Sequence, residues 1–285
     1  MSNKKIMKIK RLAAQIRKDI VLMIGGEGHV GHLGGACSCA DLVAALYACK
    51  MKHDPKAPEW EGRDRLLLSK GHACIAQYAA LAELGYFPRE EIFTLKSLGS
   101  MLQGHPDMNK TPGIEANTGS LGQGLSIANG IALALRLNNK NNKVYCIMGD
   151  GELAEGQIWE AAMASANFGL NRVVGIVDRN RLQATGACQE RFRTDPLPEK
   201  WESFGWHVIN IDGHDPGQIL EGLEEADSVT EKPTVIIAET VKGKGISFAE
   251  NEVSFHNGSL TREQYEAALN ELDAQLALLE GAELK

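Results

Sequence analysis

The chain has 285 residues, 44% of them hydrophobic and 24% charged, the balance of an ordinary soluble globular protein with a full core. Thirty Lys and Arg against 37 Asp and Glu leave a net charge of −7, which argues against a nucleic-acid binder working through a basic face. No run reaches the roughly 18 uninterrupted apolar residues of a membrane-spanning helix. Arg17, Lys18 and Asp19 interrupt the apolar stretch that a signal peptide needs after its basic start, so a cytoplasmic location is expected. The six cysteines form no C-x-x-C pair and lack the spacing of a zinc site. Most fall in apolar runs, where a free thiol acts as a small buried hydrophobe.

Helical and strand patterns alternate along the chain. Apolar residues at Ile9, Leu12, Ala13, Ile16, Ile20, Met23 and Ile24 predict a helix over 9–24 that stops at Gly25-Gly26. Ser38 reads as the N-cap of a second helix over 40–50. A short strand over 65–68 leads to a helix over 73–84, with Gly85 as its stop. Another helix, over 125–137, follows a Gly-rich turn. β-Branched apolar runs then predict strands over 144–148 and 173–177 with a helix over 155–168 between them. Two more strands, over 206–211 and 234–238, flank a helix over 216–229, and an amphipathic helix over 261–279 comes last. The alternation predicts an α/β fold, a mostly parallel sheet with helices on both faces. With no repeat, low-complexity tract or linker, one domain is expected over 1–285, its core spanning about 10–260 and a C-terminal helix 261–280.

Met148-Gly149-Asp150-Gly151-Glu152 lies where a buried strand ends and a helix is about to begin, the edge at which open parallel sheets bind ligands. The glycines let backbone approach a bulky anion, and a helix N-terminus offers free N–H groups to phosphate oxygens. Asp150 is a hard oxygen ligand suited to a divalent cation. Alone, G-D-G is also a common turn. The strand over 173–177 is followed by Asp178-Arg179-Asn180-Arg181-Leu182. If the two strands are near neighbours, Asp150 and Asn180 emerge at one edge and can share a metal. This G-D-G-x(28)-N pair resembles the thiamine diphosphate motif.

Further segments occur in the order found in transketolases: Gly31-His32, Leu68-Ser69-Lys70-Gly71-His72-Ala73, Gly104-His105-Pro106 and Thr118-Gly119-Ser120-Leu121-Gly122-Gln123-Gly124. Residues 149–156, Phe204-Gly205-Trp206-His207, Asp212-Gly213-His214-Asp215 and His256-Asn257-Gly258 continue that order. Over about residues 10–260 the chain resembles the N-terminal, diphosphate-binding part of that family. The resemblance implies thiamine diphosphate as cofactor. It implies Asp150, Asn180 and the main-chain carbonyl of Leu182 as ligands of Mg²⁺, or of another divalent ion such as Ca²⁺ or Mn²⁺, with phosphate oxygens and a water completing an octahedron. Gly149 and Gly151 would meet the diphosphate, and Gly119, Ser120 and Leu121 would pack beside the cofactor rings. His72 and His256 match histidines near the diphosphate and the reacting oxygens, and His32 and His105 match histidines that contact substrate hydroxyls and the carbonyl. All four are the expected catalytic residues, because imidazole donates or accepts a proton near neutral pH. Glu155 and Glu160 match interface acids linked to the cofactor's activating network.

The other histidines divide. His53 and His207 read as solvated or capping, while for His29 and His214 both a functional and a structural reading stay open. Trp159, Trp201 and Trp206 are assigned to core or interface packing. Two positions depart from the family: Leu33 replaces a proline after His32, and Arg181, a bulky cation beside an acidic site, would point away or meet a phosphate.

Single-chain transketolases continue with a pyrimidine-binding and a C-terminal domain, whereas here one helical segment and a short tail over 281–285 follow Gly258. The expectation is a split enzyme. A second chain would supply both domains in a complex with two copies of each chain, and a piece of a longer protein is the less favoured reading. The reaction implied is transfer of a two-carbon ketol unit from a ketose phosphate to an aldose acceptor, within the pentose phosphate pathway or a specialised sugar route. Alternatives are a subunit of another thiamine diphosphate enzyme, or a non-catalytic cofactor-binding subunit. Sugar phosphates and the second chain are the expected partners, with no nucleic acid and no membrane.

Overall fold

In the computed structural model, which describes residues 3–25 and 29–283, five aliphatic runs pair into one sheet. The elements run α1 (Asn3–Ile24), α2 (Leu33–Ser38), α3 (Ala40–Ala45), β1 (Arg65–Leu68), α4 (Cys74–Glu83), α5 (Gly124–Leu137), β2 (Val144–Gly149) and α6 (Gly156–Asn167). There follow β3 (Val173–Arg179), a short hairpin of β4 (Leu182–Gln183) and β5 (Gly186–Ala187), α7 (Cys188–Arg191) and α8 (Leu197–Ser203). The chain ends with β6 (His207–Asp212), α9 (Pro216–Ser228), β7 (Thr234–Glu239) and α10 (Arg262–Glu283). The sheet order is β1-β2-β3-β7-β6, and every neighbouring pair is parallel.

Side chains alternate across this sheet with the period of two that a pleated strand imposes. Leu66, Leu68, Tyr145, Ile147, Val174 and Ile176 join one core with α1, α3, α4 and α9. Leu67, Val144, Cys146, Met148, Val173 and Val177 join the other with α5, α6 and α8. Both faces are therefore covered, as expected for strands that read as continuous apolar runs. Trp201 and Trp206 pack in the second core, with ring centroids 4.9 Å apart, and Trp159 lies 5.2 Å from Trp201. Among the described residues, no helix is long and apolar enough to cross a membrane.

Most predicted elements match to within a residue or two, with three corrections. α1 begins at Asn3 rather than 9, because the charged first turn is solvent-exposed and needs no apolar face. The helix expected over 40–50 is α3, closed by a single π turn, Leu46–Lys50, and preceded by the unpredicted α2. Ser38 is not an N-cap: it sits inside α2, and its hydroxyl donates to Asp178 at 2.6 Å. Gly26 of the expected helix stop lies outside the described residues. So do 284–285 of the expected tail, whose earlier part continues α10.

Register sets the site. Gly149 pairs with Asp178, and Asp178 pairs with Ala238, so the residues just beyond all three central strands converge at one carboxyl edge.

Candidate active site

At that edge lies a cavity of about 410 Å³, lined by residues from every segment that carries the expected site. Its floor is the two strand ends. Asp150 Oδ1 accepts from the Gly151 N–H at 2.8 Å, and Oδ2 from the Arg181 N–H at 2.6 Å. Asn180 donates through Nδ2 to Asp178 at 3.2 Å, which leaves Oδ1 to accept from the Leu182 N–H at 3.1 Å. Arg181 has a positive φ of 67°, and this turn aims its N–H at Asp150 while its guanidinium pairs outward with Glu239 at 2.8 Å. Of the two orientations left open for Arg181, the side chain points away.

Charge beneath the floor is arranged in layers. Asp178 is fully buried and accepts from Ser38, Asn180, Thr240 and the Lys70 ammonium. Burial opposes its ionisation, but the charge and hydrogen bond of Lys70, with those of Ser38 and Thr240, hold its carboxyl below the usual range. Lys70 also donates to the Gly35 carbonyl at 2.6 Å. A second lysine, Lys242, is 1% exposed and donates to His256 Nδ1 at 2.8 Å and to the Leu182 carbonyl at 2.9 Å. Burial, and then the charge of Lys70, lowers Lys242 to about 8. Burial, followed by repulsion from Asp178, raises Asp150 to about 6.

Three imidazoles face this floor. The ring centroids of His32, His72 and His256 lie 4.9, 5.5 and 5.3 Å apart. Gly31 and Gly258 exchange two backbone hydrogen bonds of 3.0 Å, which fixes His32 beside His256. Leu33, at the departure from the family, is buried in the core as the first residue of α2. Burial is the main force lowering His32 and His256 to about 4, with Lys96 adding to the first and Lys242 to the second. His72 is pushed further down, to about 2, by burial and then Lys70. All three are neutral at physiological pH, so each can both donate and accept. His105 is more exposed and lies over Gly119, where an added Cβ would stand 2.7 Å from its Cδ2.

Among the expected residues, His32, His72, His105, His256, Gly119, Leu121, Gly149, Asp150, Gly151, Asn180 and Leu182 line this one cavity. Ser120, Glu155 and Glu160 are exposed and lie outside its lining. His53 caps the Tyr47 carbonyl at 2.8 Å, and His207 pairs with Glu225 at 2.7 Å. His29 meets the Met23 carbonyl at 3.2 Å.

Residues that sequence reasoning passed over complete the site. Glu152 is buried and accepts from Ser69, from the Gly122 N–H at 2.8 Å and from the Gly149 N–H at 3.0 Å. One carboxylate thus joins the three loops that carry His72, Gly119 and Asp150. Burial raises its pKa, while Ser69 and the two N–H groups pull it back. Lys70 sits in a segment already quoted for its histidine, and Asp178 lies two residues before Asn180. Lys242 carries no motif, only a Lys/Gly-rich run after a strand.

The fold and this site define a parallel α/β protein whose strand ends present oxygen donors for a hard cation, with two buried lysines for an anionic ligand. Known proteins give that class a family. Residues 9–275 match the family described as "Transketolase, thiamine diphosphate binding domain". The chain is 47% identical to a 6-deoxy-6-sulfo-D-fructose transketolase subunit of Clostridium sp. (strain MSTE9), over 94% of this chain and 97% of the relative. It is 39% identical to one of the apulose-4-phosphate transketolase subunits of Phocaeicola vulgatus, over 96% and 98%. Among solved structures, transketolase from Campylobacter jejuni superposes with a TM-score of 0.84 at 28% identity, covering 99% of this chain and 48% of that one. The chain belongs to the transketolase family, as its thiamine diphosphate-binding portion, and transketolase is its activity class. The expected fold and family both hold.

Proposed function

We propose that this chain is the cofactor-binding subunit of a two-chain, thiamine diphosphate- and Mg²⁺-dependent transketolase, moving a two-carbon ketol unit from a ketose to an aldose acceptor. The carrying observation is the pairing of Asp150 and Asn180, on adjacent strand ends, with three neutral imidazoles across one cavity. The donor set fits Mg²⁺: a carboxylate, an amide oxygen and the Leu182 carbonyl are all hard oxygens. Ca²⁺ or Mn²⁺ would use the same atoms. The cavity fits the cofactor in charge and size, with Lys70 and Lys242 at the anionic end, Leu121 toward the rings, and a volume in the range of ordinary ligand sites.

When bound, thiamine diphosphate supplies a carbon nucleophile and an electron sink. The chain's own part is to hold and orient it, and to manage protons on the sugar. His32, His72, His105 and His256 are placed here as the catalytic residues. His32 and His72 can each donate an N–H to a substrate oxygen or take a hydroxyl proton, while His256, whose Nδ1 accepts from Lys242, can donate through Nε2; such contributions are about 10²–10⁴-fold where the groups act as general acid or base. Gly149, Gly151 and Gly119 offer bare backbone to the cofactor. Ser120 and Glu155 would act, together with Glu160, from the exposed rim toward the partner. The whole described sheet and its helices are read as one domain.

Relatives that are named as subunits and are covered over 97% and 98% of their own length support a second chain that carries the pyrimidine-binding and C-terminal domains, with two copies of each chain in a cytoplasmic complex. Relatives named for a sulfonated ketose and for apulose 4-phosphate support a substrate class of ketoses bearing a terminal phosphate or sulfonate, from the pentose phosphate pathway or a specialised route. Native mass spectrometry of the tagged chain, isolated from its host in Mg²⁺ and thiamine diphosphate, tests the assembly. A second chain at equal stoichiometry that transfers a two-carbon unit from phosphorylated or sulfonated ketoses is expected. A lone homodimer carrying cofactor would refute the two-chain reading.

A further inference from the structure

The Asp212-Gly213-His214-Asp215 segment at the end of β6 is not absorbed by the cavity, and its two acids have local tasks. Asp215 caps α9 by accepting from the Gly217 N–H at 2.7 Å, and Asp212 accepts from the His214 N–H at 2.8 Å. The imidazole of His214 does something else. Its Nε2 accepts from the Val241 N–H at 2.8 Å, and its Nδ1 stands 2.8 Å from Asp41 Oδ2. Because an N–H must donate to Nε2, the proton sits on Nδ1 and is given to Asp41, which fixes the tautomer. Asp41 is held from its other side by Arg17, itself 3% exposed and bonded to the Cys37 carbonyl at 3.2 Å. A chain of groups, buried at Arg17 and Asp41 and half-buried at His214 and Val241, thus runs from α1 through α3 to the main chain just after β7.

Val241 immediately precedes Lys242, whose ammonium meets His256 Nδ1 and the Leu182 carbonyl. We infer that His214 is a positioning residue of the cofactor site, acting through the Val241 main chain to hold the Lys242 ammonium at the diphosphate end of the cavity. This rests on the reading of that cavity as a diphosphate site. The neighbouring backbone ties are at Thr240, to the Arg179 carbonyl at 3.2 Å, at Gly243, to the Gly34 carbonyl at 3.0 Å, and at Lys242, whose carbonyl takes the Asn251 N–H at 2.9 Å. Between them the Val241 N–H has the imidazole as its acceptor. Without it, a donor in this half-buried turn loses its partner, and the base of a long, flexible side chain loses one of the ties that set its direction.

The test uses the full chain, with any partner chain that co-purifies from its host, and two measurements. Amide hydrogen exchange over 240–245 is followed without cofactor, and thiamine diphosphate affinity is measured calorimetrically in Mg²⁺. His214→Phe is expected to raise exchange at Val241 and to weaken cofactor binding by about 10- to 100-fold, the usual effect of losing an orienting group behind a ligand site. His214→Asn keeps a donor for Asp41 but cannot reach Val241, so it should behave like the Phe variant while folding normally. His214→Gln, whose Oε1 can take the place of Nε2, should restore both properties. In a Lys242→Met background, His214→Phe should cost nothing further, since both act through one ammonium. Unchanged exchange at Val241, or losses that multiply with those of Lys242→Met, would overturn the inference. If the wild type binds no thiamine diphosphate, the diphosphate reading of the cavity fails, while the exchange measurement still decides whether His214 holds the Val241 turn.

Discussion

Glu152 offers the sharpest test of how the site is built. Its Oε1 takes the Ser69 hydroxyl and the Gly122 N–H at 2.8 Å, and its Oε2 takes the Gly149 N–H at 3.0 Å. Glu152→Gln keeps the shape but has one oxygen, so its amine must face either the Gly122 or the Gly149 donor. One buried backbone N–H is then left unsatisfied, at about 1–3 kcal/mol. Glu152→Ala orphans both, for about 2–6 kcal/mol, since the Ser69 hydroxyl can rotate to another partner. At roughly 2–4 °C per kcal/mol for a domain of this size, the Gln variant should unfold about 2–12 °C below wild type and the Ala variant about twice as far. The three loops tied to this carboxylate also line the cavity, so thiamine diphosphate affinity should fall alongside stability. Differential scanning calorimetry of the cofactor-free chain and titration with cofactor give both quantities. A Gln variant matching wild type in both would show that the carboxylate is not the shared acceptor.

Three other outcomes are expected. Asn180→Ala removes an oxygen donor beside Asp150 and should weaken Mg²⁺-dependent thiamine diphosphate binding by at least about tenfold; unaltered metal-dependent binding would refute the ligand assignment. Gly119 has a φ of 146°, and an added Cβ would stand 2.7 Å from the His105 ring, so Gly119→Ala should lower kcat by displacing His105; a wild-type kcat would count against His105 as a working group. Asp19 is buried beside α4 with Oδ2 unpartnered, and burial, only partly offset by the Arg89 charge, raises it from 3.8 to about 7. A raised carboxyl lends stability that is full below its unfolded value and is lost as pH climbs through about 7. Asp19→Asn should therefore gain several degrees in Tm on wild type at pH 8 relative to pH 5, and an equal difference at both pH values would contradict it.

The convergence of Asp150 and Asn180 at one edge was legible because it needs only local pattern plus adjacency. Gly149-Asp150-Gly151 and Asn180 each follow an apolar run, and parallel pairing of Gly149 with Asp178 brings both to one edge without any knowledge of side-chain packing. The histidines were found by resemblance rather than by spacing. Periodicity could not say that Gly31 and Gly258 would bond across the cavity mouth and set His32 beside His256.

What stayed hidden are contacts whose chemistry sits in one segment and whose purpose sits in another. A serine before an apolar run reads equally as a helix cap or as the partner of a distant acid, and for Ser38 the acid is Asp178, far along the chain. Gly34 and Gly35 weigh against a helix over α2 by propensity alone. Yet Gly34 cannot bear a side chain, because an added Cβ would lie 2.9 Å from Cγ of Lys242. The same glycine that obscures the helix in the sequence admits the lysine to the cavity in the fold. Propensity measures the cost to the local segment, whereas this cost is borne for a residue that arrives more than 200 positions later. That is why the cation facing His256 is legible in the folded contacts and not in the residues around it.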